Sequence, residues 1–220
     1  VTRDGDQYAI TDVGRYLLKD VPGSLYMGLM LIGSEPWQKA WNNFSYALTT
    51  GNNSFEPAMG AGFFDYLDRH PEYGVPFNQL QTILTTMAAS AIAEGYDFTP
   101  FGTVCDIGGG HGILLKNLLS ANPHLRCILF DQENVVKDHA LYDLAGRVEI
   151  QSGSFFERVP AADVLLMKNV LHDWSDEKCR VILSQCRQAM RPSTRLLIVE
   201  MVIASPADLM GAFYDLHMQV

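Results

Sequence analysis

The chain has 220 residues, 48% of them apolar, and carries 16 Lys and Arg against 25 Asp and Glu, for a formal net charge of −9. That length holds one large domain, or one domain with part of another, and the apolar fraction is ordinary for a globular protein. The acidic balance argues against broad nucleic-acid binding, which needs a basic face, and no apolar run approaches the ~20 residues that span a membrane.

Residues 1–10 read as the tail of a hairpin: the turn residues Asp4-Gly5-Asp6, then a short strand over 8–10. Thr11 is placed to cap a brief helix running to about Lys19, with Asp12 in its first turn. A chain that opens on half a hairpin is expected to lack its N-terminal part. Residues 24–95 are helical in character, with interruptions near Gly33, over 49–53, and at Pro71 and Pro76. Aromatic and Met residues crowd this region. Most suit helix-packing core, and a few could line an apolar pocket for a flat ligand. Its last helix, 77–94, has an apolar stripe of Phe77, Leu80, Leu84, Met87, Ala88 and Ala91.

From Phe101 the pattern becomes strand–helix alternation, the mark of a parallel sheet with helices on both faces. A buried strand over 103–107 runs into Gly108-Gly109-Gly110, and a helix follows from His111. Leu114, Leu115, Leu118 and Leu119 form the inner face of that helix, and Pro123 lies just past its end. Further strands are predicted over 125–131, 148–151, 163–167 and 195–203, and helices over 134–144, 176–190 and 208–220. Ser175 caps the helix 176–190, whose buried stripe is Cys179, Ile182, Leu183, Cys186 and Met190. The sheet is expected to be short of its final strands. The four cysteines include no C-x-x-C, and Cys179 and Cys186 would sit about 10.5 Å apart along a helix, too far to bridge. They read as buried thiols in a reducing cytoplasm.

Two places carry chemistry. A strand, a glycine turn and a helix N-terminus together form a nucleotide-cofactor site. Ile113 stands where a dinucleotide fingerprint starting at Gly108 needs its third glycine. Asp106, at the mouth of the turn, would repel a pyrophosphate but suits a ligand with an ammonium and a sulfonium, as S-adenosylmethionine has. Asp131, closing the next strand, is placed for ribose hydroxyls, a feature that NAD enzymes share. The second place is D-V-L-L-M-K-N-V-L-H-D-W-S-D-E, 163–177. His172 falls beyond the end of its strand, on the edge where open parallel sheets hold ligands. Glu200, expected within the strand 195–203, could reach and orient the imidazole as general-base catalysis requires.

The run L-H-D-W-S-D-E, preceded by M-K and combined with D-I-G-G-G-H-G, resembles the small-molecule O-methyltransferases of caffeate, flavonoid, acetylserotonin, phenazine and polyketide type. The resemblance implies a Rossmann-like class I methyltransferase fold following a winged-helix dimerisation domain. Residues 1–20 would be the remnant of that domain, 21–96 a helical linker and substrate-pocket region, and 97–220 the S-adenosylmethionine-binding domain. It implies cofactor contacts at Gly108, Asp131 and Lys168, beside the Asp106 and Gly110 of the glycine turn and the Ser154 and Phe155 of a later loop. His172 becomes the base and Glu200 one of two flanking acids. Tyr73, Phe77, His217 and Met218 line the acceptor pocket, the acceptor is a small aromatic hydroxyl-bearing molecule, and the protein is a homodimer. Two departures stand out. Ser154 replaces a family carboxylate, and the second flanking acid would lie beyond Val220. Two other readings stay open: an S-adenosylmethionine-assisted reaction other than methylation, and a ligand-sensing regulator. A magnesium-dependent mechanism would need a carboxylate cluster, and a histidine in the base position argues against it.

Overall fold

The computed structural model describes every residue except 204 and 206. Contacts divide the chain into one unit of Val1–Ile83 with Asp215–Val220 and a second of Leu84–Tyr214.

The first unit opens on a whole hairpin, not half of one. Strands β1 (Thr2–Asp4) and β2 (Gln7–Ala9) pair antiparallel with Thr2 opposite Ala9, and the short strand expected over 8–10 begins a residue earlier. Thr11 caps α1 (Asp12–Arg15) as expected, its hydroxyl accepting from the Gly14 N–H at 3.0 Å. The helix stops short of Lys19 because the N–H groups of Tyr16, Leu17 and Leu18 turn to carbonyls three residues back.

Helices α2 (Tyr26–Ile32), α3 (Glu35–Asn42), α4 (Phe44–Thr50), α5 (Phe55–Met59), α6 (Phe63–Arg69) and α7 (Pro71–Gly95) follow. Breaks fall at Gly33 and around Gly51 as expected, but Pro76 lies inside α7 without interrupting it. That proline forfeits one N–H bond, which the other turns of a 25-residue helix absorb. Trp37, Phe55, Phe63 and Phe77 form an edge-to-face chain with centroids 5.2 to 6.0 Å apart. Such pairs contribute about 0.5–1.5 kcal/mol each beyond their buried area. The inner face of the C-terminal half of α7 is Ala89 and Ala93, not the stripe drawn from the sequence: Met87 is 74% exposed, and Leu84 and Ala91 are exposed too. Phe77 and Leu80 pack in one core and Ala89 and Ala93 in another, so no single stripe runs the helix's length.

The second unit is built on a parallel sheet in the order β5-β4-β3-β6-β7. Its strands are β3 (Thr103–Ile107), β4 (Arg126–Asp131), β5 (Val148–Ser152), β6 (Val164–Lys168) and β7 (Arg195–Val199), joined through α8 (Ile113–Ala121), α9 (Glu133–Val136) and α10 (Asp176–Ala189). The last helix, α11 (Leu209–Met218), follows β7. Period-two alternation divides the strands between two cores. Val104, Leu129, Val164 and Leu166 pack with Leu114, Leu115, Leu118 and Leu119 of α8. Cys105, Ile107, Phe130, Leu165 and Met167 pack with Ile182 and Cys186 of α10. Each fully buried leucine contributes about 1.5–3 kcal/mol relative to exposure.

Three elements differ from expectation for tertiary reasons. The helix begins at Ile113, not His111, because Gly112 precedes it with φ 79°. A Cβ on Gly112 would lie 2.5 Å from Leu141 Cδ1, so the missing side chain admits that leucine. The helix expected over 134–144 ends at Val136 and resumes as a 3-10 turn at Tyr142–Leu144. Between them the Ala140 N–H donates to the His111 carbonyl at 2.8 Å, and Leu141 is buried. Finally, β7 ends at Val199, where its pairing with β6 ends at Lys168, so Glu200 lies just beyond the strand. The part of the expected strand 195–203 that includes Met201 to Ile203 is unpaired and exposed.

Candidate active site

Because β3 has β4 on one side and β6 on the other, the chain reverses its winding direction there. In such sheets the crevice beyond the carboxyl ends of the strands is the ligand site. Gly108 follows β3, Asp131 ends β4, Ser154 follows β5, Lys168 ends β6 and Glu200 follows β7. One sheet edge thus gathers a candidate from every strand.

The glycine turn is anchored by the Gly108 N–H, which donates to the Phe130 carbonyl at 2.8 Å. Gly108 and Gly110 have φ of 70° and 57°, conformations that favour glycine. A Cβ on Gly108 would meet Val170 at 2.9 Å and Phe155 at 3.9 Å, whereas one on Gly110 would meet nothing within 4 Å. The turn is therefore packed below and open at Gly110, where a ligand can approach bare backbone. The Gly110 N–H donates to Asp131 Oδ2 at 2.8 Å and the Gln132 N–H to Oδ1 at 2.7 Å. An ionised carboxylate accepts about four bonds, so two remain for ligand hydroxyls. Burial raises the Asp131 pKa against the pull of these two N–H bonds.

Asp106 is placed differently from an open mouth residue. It is 2% exposed and lies under the turn, where a Cβ on Gly109 would come within 2.8 Å of its carboxyl. Burial and the neighbouring Asp131 charge push its pKa up to about 7, with Lys168 opposing. Burial likewise lowers the Lys168 pKa, against Asp106 and Glu200. Ser154 is turned into its own loop, its hydroxyl accepting from the Phe156 N–H at 3.3 Å. The ring of Phe155 packs edge-on against Phe156 and Trp174.

His172 sits in the middle of a 3-10 turn, Leu171–Asp173, directly after β6. Its Nδ1 lies 2.5 Å from Glu200 Oε2, while Glu200 Oε1 accepts from the N–H groups of Val170 at 3.0 Å and Leu171 at 2.9 Å. A carboxylate facing Nδ1 assigns the proton to that nitrogen and leaves the Nε2 lone pair as the basic site. Burial lowers the His172 pKa, but the Glu200 hydrogen bond and the Asp173 and Glu200 charges more than offset it, so the net direction is upward. Glu200 is held below the ordinary carboxylate range because the imidazole and the two N–H groups outweigh its burial.

Two partners of the imidazole, and a residue that shapes its turn, are not marked in the sequence as site residues. Asp173 Oδ1 lies 3.4 Å from Nε2, and burial pushes its pKa to about 6. Its signal was adjacency to His172 within L-H-D. Tyr214 meets the imidazole edge-on at 5.5 Å, and nothing in a terminal helix marks it. Asn169, with φ 53°, shapes the turn itself.

The four expected acceptor residues fall in the first unit. Tyr73 is stacked on Tyr66 at 6.1 Å, and Phe77 is edge-on to Phe63 and Phe64. His217 is stacked with Trp41 at 6.1 Å, and the Met218 carbonyl accepts from Asn53.

Residues 41–220 match the family model described as the O-methyltransferase domain. The chain is 38% identical over 219 residues to the phenazine O-methyltransferase of Lysobacter antibioticus, an alignment covering 97% of this chain and 64% of that protein. It is 36% identical to the O-demethylpuromycin O-methyltransferase of Streptomyces alboniger, covering 97% of this chain and 60% of that one. The chain thus spans less than two thirds of the length of these relatives. Among solved structures, a mitomycin 7-O-methyltransferase superposes with a TM-score of 0.91 at 33% identity, covering 96% of this chain and 63% of that chain. An O-methyltransferase from neocarzinostatin biosynthesis, solved with S-adenosylmethionine and a hydroxynaphthoic acid, gives a TM-score of 0.86 at 28% identity over 99% of this chain and 68% of that chain. With this family match over most of its length, and a parallel sheet of the class I methyltransferase type, the chain belongs to the O-methyltransferase family.

Proposed function

We propose that the chain carries the S-adenosylmethionine site and the general base of an enzyme that methylates a hydroxyl on a small aromatic or polycyclic acceptor. The observation that carries this reading is the His172–Glu200 pair, held at 2.5 Å on the same sheet edge as the glycine turn and Asp131. The residues present fit the cofactor. Gly110 offers open backbone, Asp131 has unused acceptor capacity for ribose hydroxyls, and Asp106 and Asp131 supply negative charge toward an ammonium and a sulfonium. When bound, S-adenosylmethionine supplies a methyl group on a positively charged sulfur. Phe155, Ser154 and Lys168 complete the set of proposed cofactor contacts.

The protein's own part is to align the acceptor oxygen, exclude water and take up a proton at Nε2. A phenol and an unperturbed imidazole differ by roughly 3.5 pKa units, about 5 kcal/mol. The upward shift of His172 narrows that gap, and Glu200 at Nδ1 with Asp173 near Nε2 stabilises the imidazolium that forms. Proton removal concerted with transfer therefore costs less than prior ionisation. Tyr73, Phe77, His217 and Met218 are the proposed contacts for the flat body of the acceptor. Exposed apolar residues of α1 and α2 and the stretch between them, Val13, Leu17, Leu29 and Met30 among them, support a homodimer built through this region.

The test is His172→Gln in the full-length protein, assayed with a panel of phenols and hydroxylated polycycles and labelled cofactor. Turnover on a weakly acidic phenol should fall about 10²–10⁴-fold while calorimetry finds cofactor affinity unchanged within a few-fold. An acceptor already ionised near neutral pH should lose much less. A His172→Gln protein methylating weakly acidic phenols at the wild-type rate would overturn the base assignment. Failure of every acceptor despite tight cofactor binding would favour a non-methylating or sensing role.

A further inference from the structure

We propose that the left-handed backbone of Asn169 forms an anion-binding concavity that seats Glu200 against His172, making Asn169 a positioning residue for the imidazole. This rests on the reading of His172 as the base. Asn169 is the one non-glycine with positive φ among the described residues, at 53°. Val170 follows with φ −118° and ψ −49°, in the right-handed region. A left-handed residue followed by a right-handed one turns successive backbone N–H groups to the same side, a concavity that binds anions. Here the N–H groups of Val170 and Leu171 converge on Glu200 Oε1 at 3.0 and 2.9 Å. With Oε1 so occupied, Oε2 is left for His172 Nδ1.

The same residue ties the turn to the strand that delivers the carboxylate, because the Asn169 N–H donates to the Val199 carbonyl at 3.0 Å. Among the described residues its side-chain amide has no hydrogen-bond partner, so the position contributes through its backbone. Asparagine is among the few residues that tolerate this conformation, whereas a β-branched residue there is a genuine outlier. The Val170 side chain abuts Gly108, so the concavity also borders the glycine turn. The charged and titratable groups facing His172 are Glu200 beyond β7, Asp173 on its own turn, Lys168 at the end of β6 and Tyr214 of α11. Of these, Glu200 is the one that the Asn169 turn holds.

The experiment compares Asn169→Val, which disfavours the left-handed region, with Asn169→Gly, which adopts it readily. His172 is titrated by NMR in the full-length protein with labelled histidines, its signal assigned by loss in His172→Gln, and folding is checked by circular dichroism. Asn169→Val should lower the His172 pKa by about one unit, a tenfold change in its protonation equilibrium. The rising limb of the pH–rate profile should move with it, and Asn169→Gly should titrate as wild type. If Asn169→Val does not fold, Asn169→Ala takes its place with the same direction of shift. A valine or alanine variant titrating as wild type overturns the inference, as does a glycine variant that titrates like valine. A shifted titration with an unmoved pH–rate limb supports the concavity and overturns the base reading. An unmoved titration beside a dead His172→Gln does the reverse.

Discussion

Replacing Glu200 by glutamine removes one charge while keeping size and shape, and the surroundings dictate how the new amide must point. The N–H groups of Val170 and Leu171 both need an acceptor at Oε1. An amide has a single acceptor atom, and two donors outvote one, so the carbonyl oxygen takes that place. The NH2 group then faces His172 Nδ1, where Glu200 presented a carboxylate oxygen. A donor there forces Nδ1 to become the acceptor and moves the imidazole proton to Nε2, the atom required as the base. The variant therefore fails in two ways. It loses a charge-assisted hydrogen bond of about 1.5–3 kcal/mol, which translates to roughly one to two units of His172 pKa. It also populates the wrong tautomer, for which losses on the order of 10⁴ are known in comparable triads. The pair is fit for such an effect because the two side chains are only 19% and 17% exposed, so water screens little of it. The expected outcome is a turnover loss of about 10²–10⁴ with a weakly acidic phenol, an NMR-titrated His172 pKa moved down, and unchanged cofactor affinity. In the wild type the neutral base is regained as pH rises through the elevated His172 pKa, so the ascending limb lies above the ordinary histidine value. A Glu200→Gln protein that keeps its rate within threefold (roughly 0.7 kcal/mol) and its His172 titration would refute this account of the pair.

Three further outcomes are expected. Asp106 has a pKa pushed up to about 7, and a cationic ligand lowers it, so binding releases a proton below that pH. Calorimetry should therefore find S-adenosylmethionine binding roughly tenfold weaker at pH 6 than at pH 7.5, with the difference abolished in Asp106→Asn; a flat wild-type profile counts against charge coupling at this site. Gly112→Ala combines a strained left-handed backbone with a Cβ 2.5 Å from Leu141, so thermal or denaturant unfolding should show a loss of about 1–3 kcal/mol, and an unchanged midpoint contradicts the close packing. Light scattering on the full-length protein should give a dimer at micromolar concentration, and a stable monomer would leave the apolar residues of α1 and α2 needing another partner.

Sequence alone determined the elements whose residues interact with near neighbours. The run Thr103 to Ile107 is a short strand buried almost throughout, the leucines of α8 form one stripe, and Ser175, Ile182 and Cys186 define the start and inner face of α10. The glycine turn, Asp131 and His172 were legible for the same reason, since each lies at a strand's C-terminal end or within a few residues beyond it. Glu200 was legible as a partner for His172, although it lies past its strand and not within it.

What lay between distant segments was decided only by tertiary structure. The sequence puts Asp106 at the open mouth of the glycine turn, whereas the fold buries its carboxyl beneath Gly109. Nothing local forbids a helix through 134–144, and it is interrupted because Leu141 fills the space that Gly112 vacates on another element. The apolar residues of α7 offer several helical faces, and the cores they meet select Phe77 and Leu80 in one place and Ala89 and Ala93 in another. The environment of the imidazole is the extreme case. Its proton is assigned by Glu200, delivered by a different strand and seated by the backbone angles of Asn169 and Val170, while Tyr214 arrives from the last helix. Periodicity and spacing record which residues face inward along one element. Desolvation, hydrogen-bond geometry and the shift of a pKa depend on which atoms from other elements arrive opposite them, and those pairings exist only once the chain has folded.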